Sequence, residues 1–184
     1  MAAESNLKNM ALSLTVVCLV CSALLGGVYA VTAEPIRKAE EAKVAASIAR
    51  VLPGFSEQPS LEKVSVDGID YTYYRVPGTG YAVISTVGGF GGPLSLMVGI
   101  SEDGLIMNTV VLSHSETPGL GAKCTTDEAF IDQFKGWDPA AKRLEVRKDG
   151  GEVDAITAST ITSRAYAKAV SNAVAVYSKL TENE

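Results

Sequence analysis

The chain has 184 residues, a formal net charge of −5 at pH 7 and 47% hydrophobic residues. That length holds one domain with a real core plus an anchor, and no second full domain. The acidic balance, with no concentrated basic face, excludes the usual nucleic-acid binder.

Cysteine usage is equally restrictive. Cys18 and Cys21 lie inside an apolar N-terminal run and Cys124 stands alone, so there is no disulfide framework. The single His114 and the distant Cys124 give no set of metal ligands, and no metal is expected. His114 reads as a surface or core histidine.

Residues 1–9 form a short tail. Asn9 to Ala33 carries no charge, and Met10–Val31 is long enough to cross a bilayer as a helix at ~1.5 Å per residue. A transmembrane helix is therefore expected over 10–33. The rival is a cleaved signal peptide, since Lys8 gives a basic start and Val28-Tyr29-Ala30 resembles a small-x-small cleavage site. The length of the apolar run favours an uncleaved anchor. A lipoprotein signal needs a small residue before its cysteine, where this chain has Val17 and Val20. The Cys18-x-x-Cys21 pair lies mid-span and reads as small helix-packing residues.

Lys8 precedes the span, and Arg37, Lys38 and Lys43 follow it. Counted alone, these put the C-terminal side in the cytoplasm, although a large following domain translocates largely regardless of charge. Glu34-Pro35 should end or restart the helix. Ile36–Leu52 has apolar residues at helical spacing, and 34–54 reads as a linker helix that packs on the domain, stopped by Pro53-Gly54.

From Leu61 the apolar period falls to two. Strands are expected over Lys63–Val66, Tyr71–Val76, Tyr81–Val87, Leu94–Ile100 and Leu105–Ser113. Asp67-Gly68, Pro77-Gly78-Thr79-Gly80 and Glu102-Asp103-Gly104 mark the turns of antiparallel hairpins. Gly88-Gly89-Phe90-Gly91-Gly92-Pro93 reads either as a flexible hairpin loop or as backbone that approaches a flat ligand closely. Glu116-Thr117-Pro118-Gly119-Leu120-Gly121 reads as a rigid turn with exposed backbone N–H groups.

Asp127–Phe134 predicts a short helix with Ala129, Phe130 and Phe134 inward and Trp137 just after it. Arg143–Arg147 predicts a last strand. Arg164–Leu180 predicts a final helix with Ala165, Ala169, Ala173 and Val176 on its packed face. The expected fold class is α+β: a single N-terminal transmembrane helix, then an antiparallel-sheet domain over 55–184 with flanking helices.

Ahead of the final helix lie Thr157, Ser159, Thr160, Thr162 and Ser163. Such hydroxyls cap helices by accepting from unpaired N–H groups. The same geometry holds a phosphate, because free N–H donors and the helix dipole attract an anion.

Asp154-Ala155-Ile156-Thr157-Ala158-Ser159-Thr160 resembles the flavinylation motif Asp-x-x-Ser/Thr-Gly-Ala-Thr of FMN-binding domains, with Ala158-Ser159 in place of Gly-Ala. Glu116–Gly121 resembles the Glu-Thr-Pro-Gly-Leu-Gly loop of the same family. With the single span, the whole chain is similar to the G subunits of Rnf electron-transport complexes. The C subunits of Na+-translocating NADH:quinone reductases share the flavin motif but are longer, and rank second.

The resemblance implies covalent FMN on Thr160 through a phosphoester, installed by a Mg2+-dependent flavin transferase that Asp154 and Thr157 help to recognise. It implies phosphate-side donors at Thr162 and Ser163, with further flavin contacts from Glu116, Thr117, Gly119, Leu120, Gly121 and Phe90. It implies a redox subunit of an inner-membrane translocase that moves electrons between ferredoxin and NAD with Na+ or H+ transport. The domain is then outside the cytoplasm, and the partners are the other subunits and the lipid around the span. The competing class is a cofactor-free anchored assembly module in which the hydroxyls only cap a helix. A secreted hydrolase lacks an identifiable base beside any nucleophile.

Overall fold

The computed structural model describes residues 7–54 and 59–182. The start of the expected N-terminal tail and the expected domain boundary at residue 55 lie outside the described residues. The chain divides into two compact units, Met1–Lys43 and Val44–Glu184.

The described part of the first unit, residues 7–43, is helical. Helix α1 (Leu7–Val51) is long and apolar enough to cross a membrane. Pro35 lies inside it, so the expected break at Glu34-Pro35 does not occur. Proline removes one i→i−4 hydrogen bond. Side-chain pairs carry the helix across that point: Arg37 bonds Glu34 at 3.0 Å and Glu41 at 2.8 Å, and Lys38 reaches Glu34 at 3.5 Å. Each such exposed i,i+3 or i,i+4 pair stabilises a helix by only about 0.2–0.5 kcal/mol, but all lie within the same two turns.

The second unit is built on a five-stranded antiparallel meander. Strands β1 (Ser60–Val66), β2 (Ile69–Val76), β3 (Gly80–Gly88), β4 (Pro93–Ser101) and β5 (Ile106–His114) pair in chain order. The five strands expected between Lys63 and Ser113 are present, and the turns between them fall at the expected places. Asp67 and Gly68 take φ of 52° and 77°, as the tight β1–β2 hairpin requires.

Period-two alternation sorts the strand residues onto two faces. Tyr71, Tyr73, Tyr81, Val83, Leu94, Leu96 and Val98 point to one core. Val76, Ala82, Met97 and Val110 point to a second, smaller one, closed by Ile48, Val51 and Leu52 from the last turns of α1 and the residue after it. Gly99 permits this approach, because a Cβ there would collide with the Val51 carbonyl. The expected packing of the linker helix on the domain is thus made by its final turns.

The larger core is covered by α2 (Glu128–Asp132), α3 (Thr160–Thr181) and a 3-10 turn at Gly121–Thr125. Ala165, Ala169, Ala173 and Val176 form the packed face of α3, as the sequence predicts. Tyr166 is fully buried among aromatic rings, 5.0 Å from both Phe130 and Phe134. Its hydroxyl meets Thr109 Oγ1 of β5 at 2.7 Å, tying α3 to the sheet.

Three local expectations change. Ala129 is exposed, while Phe130, Phe134 and Trp137 are buried. Arg143–Arg147 is not a strand: only Val146 pairs, in a single parallel bridge with Val153, and a 3-10 turn follows at Arg147–Asp149. The chain reverses too soon for a ladder, since Gly151 already lies against Glu145. Helix α3 begins at Thr160, four residues before the predicted Arg164. The hydroxyl residues Thr160, Thr162 and Ser163 are therefore its first turn rather than its lead-in.

Replacing Tyr166 with Phe keeps the ring packing but leaves the Thr109 hydroxyl buried without its partner. The expected cost is about 1–3 kcal/mol. It reads out as a lower urea midpoint with an unchanged slope for the detergent-solubilised full chain.

Candidate functional site

One cavity gathers most of the residues singled out by sequence. It measures about 320 Å³ and is lined by Phe90, Glu116, Thr117, Leu120, Gly121 and residues 158–162. Three separate loops meet there: the β3–β4 hairpin, the turn after β5, and the start of α3.

Glu116 holds the three together. It is only 5% exposed. Its Oε1 accepts from the N–H groups of Phe90 at 2.8 Å and Gly91 at 3.4 Å. Its Oε2 accepts from Thr162 Oγ1 at 2.6 Å. The Glu116 N–H donates to His114 Nδ1 at 3.2 Å, so His114 fixes the backbone beneath the carboxylate. A Cβ on Gly89 or on Gly121 would strike a Glu116 oxygen. Gly89, one of the glycines expected to admit a flat ligand, therefore makes room for this carboxylate, while Gly91 and Gly92 lie against Ser115. Phe90 stands above it, 66% exposed.

The turn after β5 is partly closed on itself. The N–H groups of Leu120 and Ala122 both donate to the Thr117 carbonyl, at 3.2 and 3.1 Å. Leu120 thus offers the cavity its side chain rather than its N–H. Gly119 takes φ of 75° and turns the chain without lining the cavity.

At the start of α3 the first backbone hydrogen bond is Ser163 N–H to the Ser159 carbonyl, at 3.0 Å. The N–H groups of Thr160, Ile161 and Thr162 precede it and have no acceptor within the helix. All three residues line the cavity, and Thr160 is half-buried in its wall.

The expected capping by hydroxyls is not made. Ser159 occupies the N-cap position without a side-chain capping bond. Thr162 turns to Glu116. Ser163 is fully buried, accepting from Ile156 N–H at 2.9 Å and donating to the Ser159 carbonyl at 3.0 Å. Both its hydroxyl and its N–H are engaged within the protein, so it braces the 156–163 turn. Thr157 is exposed outside the cavity. Asp154 is exposed as well, paired with Arg147 at 2.6 Å.

Sequence reasoning named Ala158 and Ser159 within the motif but gave them no contact with the cofactor, and passed over Ile161. Ala158 has φ of 61°. That left-handed conformation explains why a motif of this kind carries Gly there, and a Cβ at such a residue costs about 1–2 kcal/mol. Ser159 is 7% exposed, lines the cavity, and its Oγ has no hydrogen-bond partner among the described residues. An orphaned buried hydroxyl beside three unpaired N–H donors is a donor set suited to phosphate oxygens. The residues present therefore fit the phosphate end of a flavin mononucleotide.

The electrostatics run the other way on the Glu116 side. Cys124, buried in the 3-10 turn, has its thiol pushed up to about 11, first by burial and then by the Glu116 charge. A larger cleft of about 560 Å³ runs along another flank of α3, beside Asp149, Arg164 and Lys168. It contains none of the predicted site residues, and Arg164 and Asp149 already pair with each other at 2.6 Å.

Ala158→Gly relieves the left-handed strain and adds some unfolded-state entropy. The first effect is the larger, so the variant gains about 0.5–1 kcal/mol. A raised thermal midpoint of the full chain checks this.

Comparison with known proteins agrees with the geometry. A family profile described as FMN-binding domain matches residues 89–175, and one described as RnfG N-terminal region matches residues 1–51. The first match contains every residue of the cavity. The G subunit of the proton-translocating ferredoxin:NAD(+) oxidoreductase complex of Clostridium ljungdahlii is 32% identical, over 93% of this chain and 91% of that protein. The G subunit of the ion-translocating oxidoreductase complex of Shewanella piezotolerans is 30% identical, over 91% and 87%. Among solved structures, the C subunit of the Na(+)-translocating NADH-quinone reductase from Parabacteroides distasonis shares the fold, with a TM-score of 0.52 and 21% identity over 75% of this chain and 82% of that one. From these near-full-length matches, the chain belongs to the family of G subunits of ion-translocating oxidoreductase complexes.

Proposed function

We propose that Thr160 carries FMN through a phosphoester and that the chain works as a one-cofactor electron carrier in its complex. The observation that carries this reading is the position of Thr160. It is the first residue of α3, in the cavity wall, beside the orphaned Ser159 hydroxyl and the N–H groups of Ile161 and Thr162.

Attachment forms one bond from Thr160 Oγ to phosphorus and releases the hydroxyl proton. A flavin transferase supplies the group from a flavin dinucleotide, and a nucleoside monophosphate leaves. The exposed Asp154 and Thr157 are available to that enzyme. The unpaired N–H groups would hold the phosphate oxygens, and Leu120, Phe90 and the Glu116 loop would border the rest of the group. FMN supplies the electron chemistry; the chain retains it, limits its contact with water and orients it.

The relatives' names supply the setting. One is part of a complex that couples ferredoxin and NAD to proton translocation, and the other of an ion-translocating complex. We place this chain in the same role, anchored in the cytoplasmic membrane by the apolar part of α1, with the flavin domain on the extracytoplasmic side. The role of the quinone-reductase C subunit is less favoured, because that likeness rests on shared fold at 21% identity.

Two measurements test the reading. Intact mass of the chain produced with its transferase should show one added FMN, which Thr160→Ala abolishes; an unmodified wild-type chain without flavin absorbance would return the domain to a cofactor-free assembly role. For sidedness, protease added to intact spheroplasts should remove the domain. Full protection, alongside cleavage of an external control protein, would reverse the topology.

A further inference from the structure

Glu116 has a property that its bracing role does not require. A neutral Gln could make the same three contacts: its carbonyl can accept from Phe90 N–H and Gly91 N–H, and its amide can donate to the Thr162 hydroxyl. The chain instead buries a carboxylate. Two backbone N–H groups reach Oε1 and the Thr162 hydroxyl reaches Oε2, a donor set an ionised carboxylate can accept. No ion pair reaches Glu116 among the described residues. Hydrogen-bond donors stabilise such a charge without cancelling it.

The charge lies in the wall of the cavity that also contains Thr160. Both the Phe90 hairpin and the α3 start are fastened to it, so it cannot swing out to solvent without breaking the site. It is 5% exposed, which leaves it weakly screened by water and salt. Its influence reaches the interior on the other side too, where it helps raise the Cys124 thiol.

We propose that the buried Glu116 carboxylate is a fixed negative charge that holds the reduction potential of the attached flavin low. The inference rests on the cavity being the FMN site. Near neutral pH, two-electron reduction adds two electrons and one proton to the flavin ring, which gains one negative charge. A neighbouring carboxylate opposes that gain. The carrier then releases electrons more readily than it would beside a neutral residue, and Glu116 acts on the flavin through space.

The test is an anaerobic reductive titration of the full-length, flavin-loaded chain against a reference dye, with dithionite as electron donor. Glu116→Gln should shift the reduction equilibrium toward the reduced flavin, on the order of tenfold to a hundredfold. Thr162→Val keeps the charge and removes one donor to it, so it should produce no shift in that direction. A loaded Glu116→Gln chain with an unchanged potential, or an equal rise in both variants, overturns the proposal in favour of a purely structural strut.

A second readout needs no flavin. In a Cys18→Ser/Cys21→Ser background, ultraviolet titration of the unloaded chain follows Cys124 alone. Glu116→Gln should bring its thiol pKa down from about 11. An unmoved thiol means that no charge resides at position 116, and the proposal fails. Absence of flavin from the wild-type chain is a different result: it removes the cofactor reading itself.

Discussion

Three loops far apart in sequence converge on one carboxylate. Glu116 accepts from the β3–β4 hairpin through Phe90 and Gly91, and from α3 through Thr162. Without it, nothing in the strand ladder fixes the hairpin tip relative to the helix start. The sheet aligns β3 and β4 up to the Gly88–Pro93 pair and stops there. The glycines at 89 and 121 are the complement of this arrangement, since their missing side chains are the space the carboxylate fills. A charge without a cation partner is a costly bolt, which makes its retention in the wall of the cavity informative.

The start of α3 shows a second departure from what stability alone would select. Ala158 adopts a backbone conformation suited to glycine, and Ser159 buries a hydroxyl with no partner among the described residues. Each is unfavourable in the chain taken by itself. Both fall immediately before Thr160. Asp67 and Ser85 each show one such feature elsewhere, but only before Thr160 do the two fall on adjacent residues in a cavity wall, as in a site shaped for a bound group.

Much of the fold was legible in the sequence. Period-two runs between Gly and Asp turns located all the strands, and the alanine stripe of α3 is its packed face. Two failures share a cause: local pattern was overruled by connections made elsewhere. Arg143–Arg147 alternates like a strand, but Gly151 turns the chain back before a partner can align. Pro35 signals a break, yet the helix continues, with Arg37 and Lys38 pairing to Glu34 across it. The cavity was half legible. Thr160, Thr162 and the Glu116–Gly121 turn could be named from motifs, because their residue types and order are local facts. That the hairpin loop and Thr162 both bond the Glu116 carboxylate is a fact about pairs 25 to 46 residues apart. No pattern within either segment encodes them.

Every strand of the meander pairs with its neighbour in sequence, so the whole sheet is specified by the time the chain reaches His114. Such local pairing favours quick assembly. The cavity has the opposite dependence. It requires residue 90, residues 116–121 and residues 158–162 at once, and the last of these arrive only when α3 docks through Tyr166 and its alanine face. The hydroxyl of Thr160 therefore has its full surroundings only in a finished domain. An enzyme that recognised those surroundings, rather than the linear motif, would in effect inspect the fold before committing a cofactor to it.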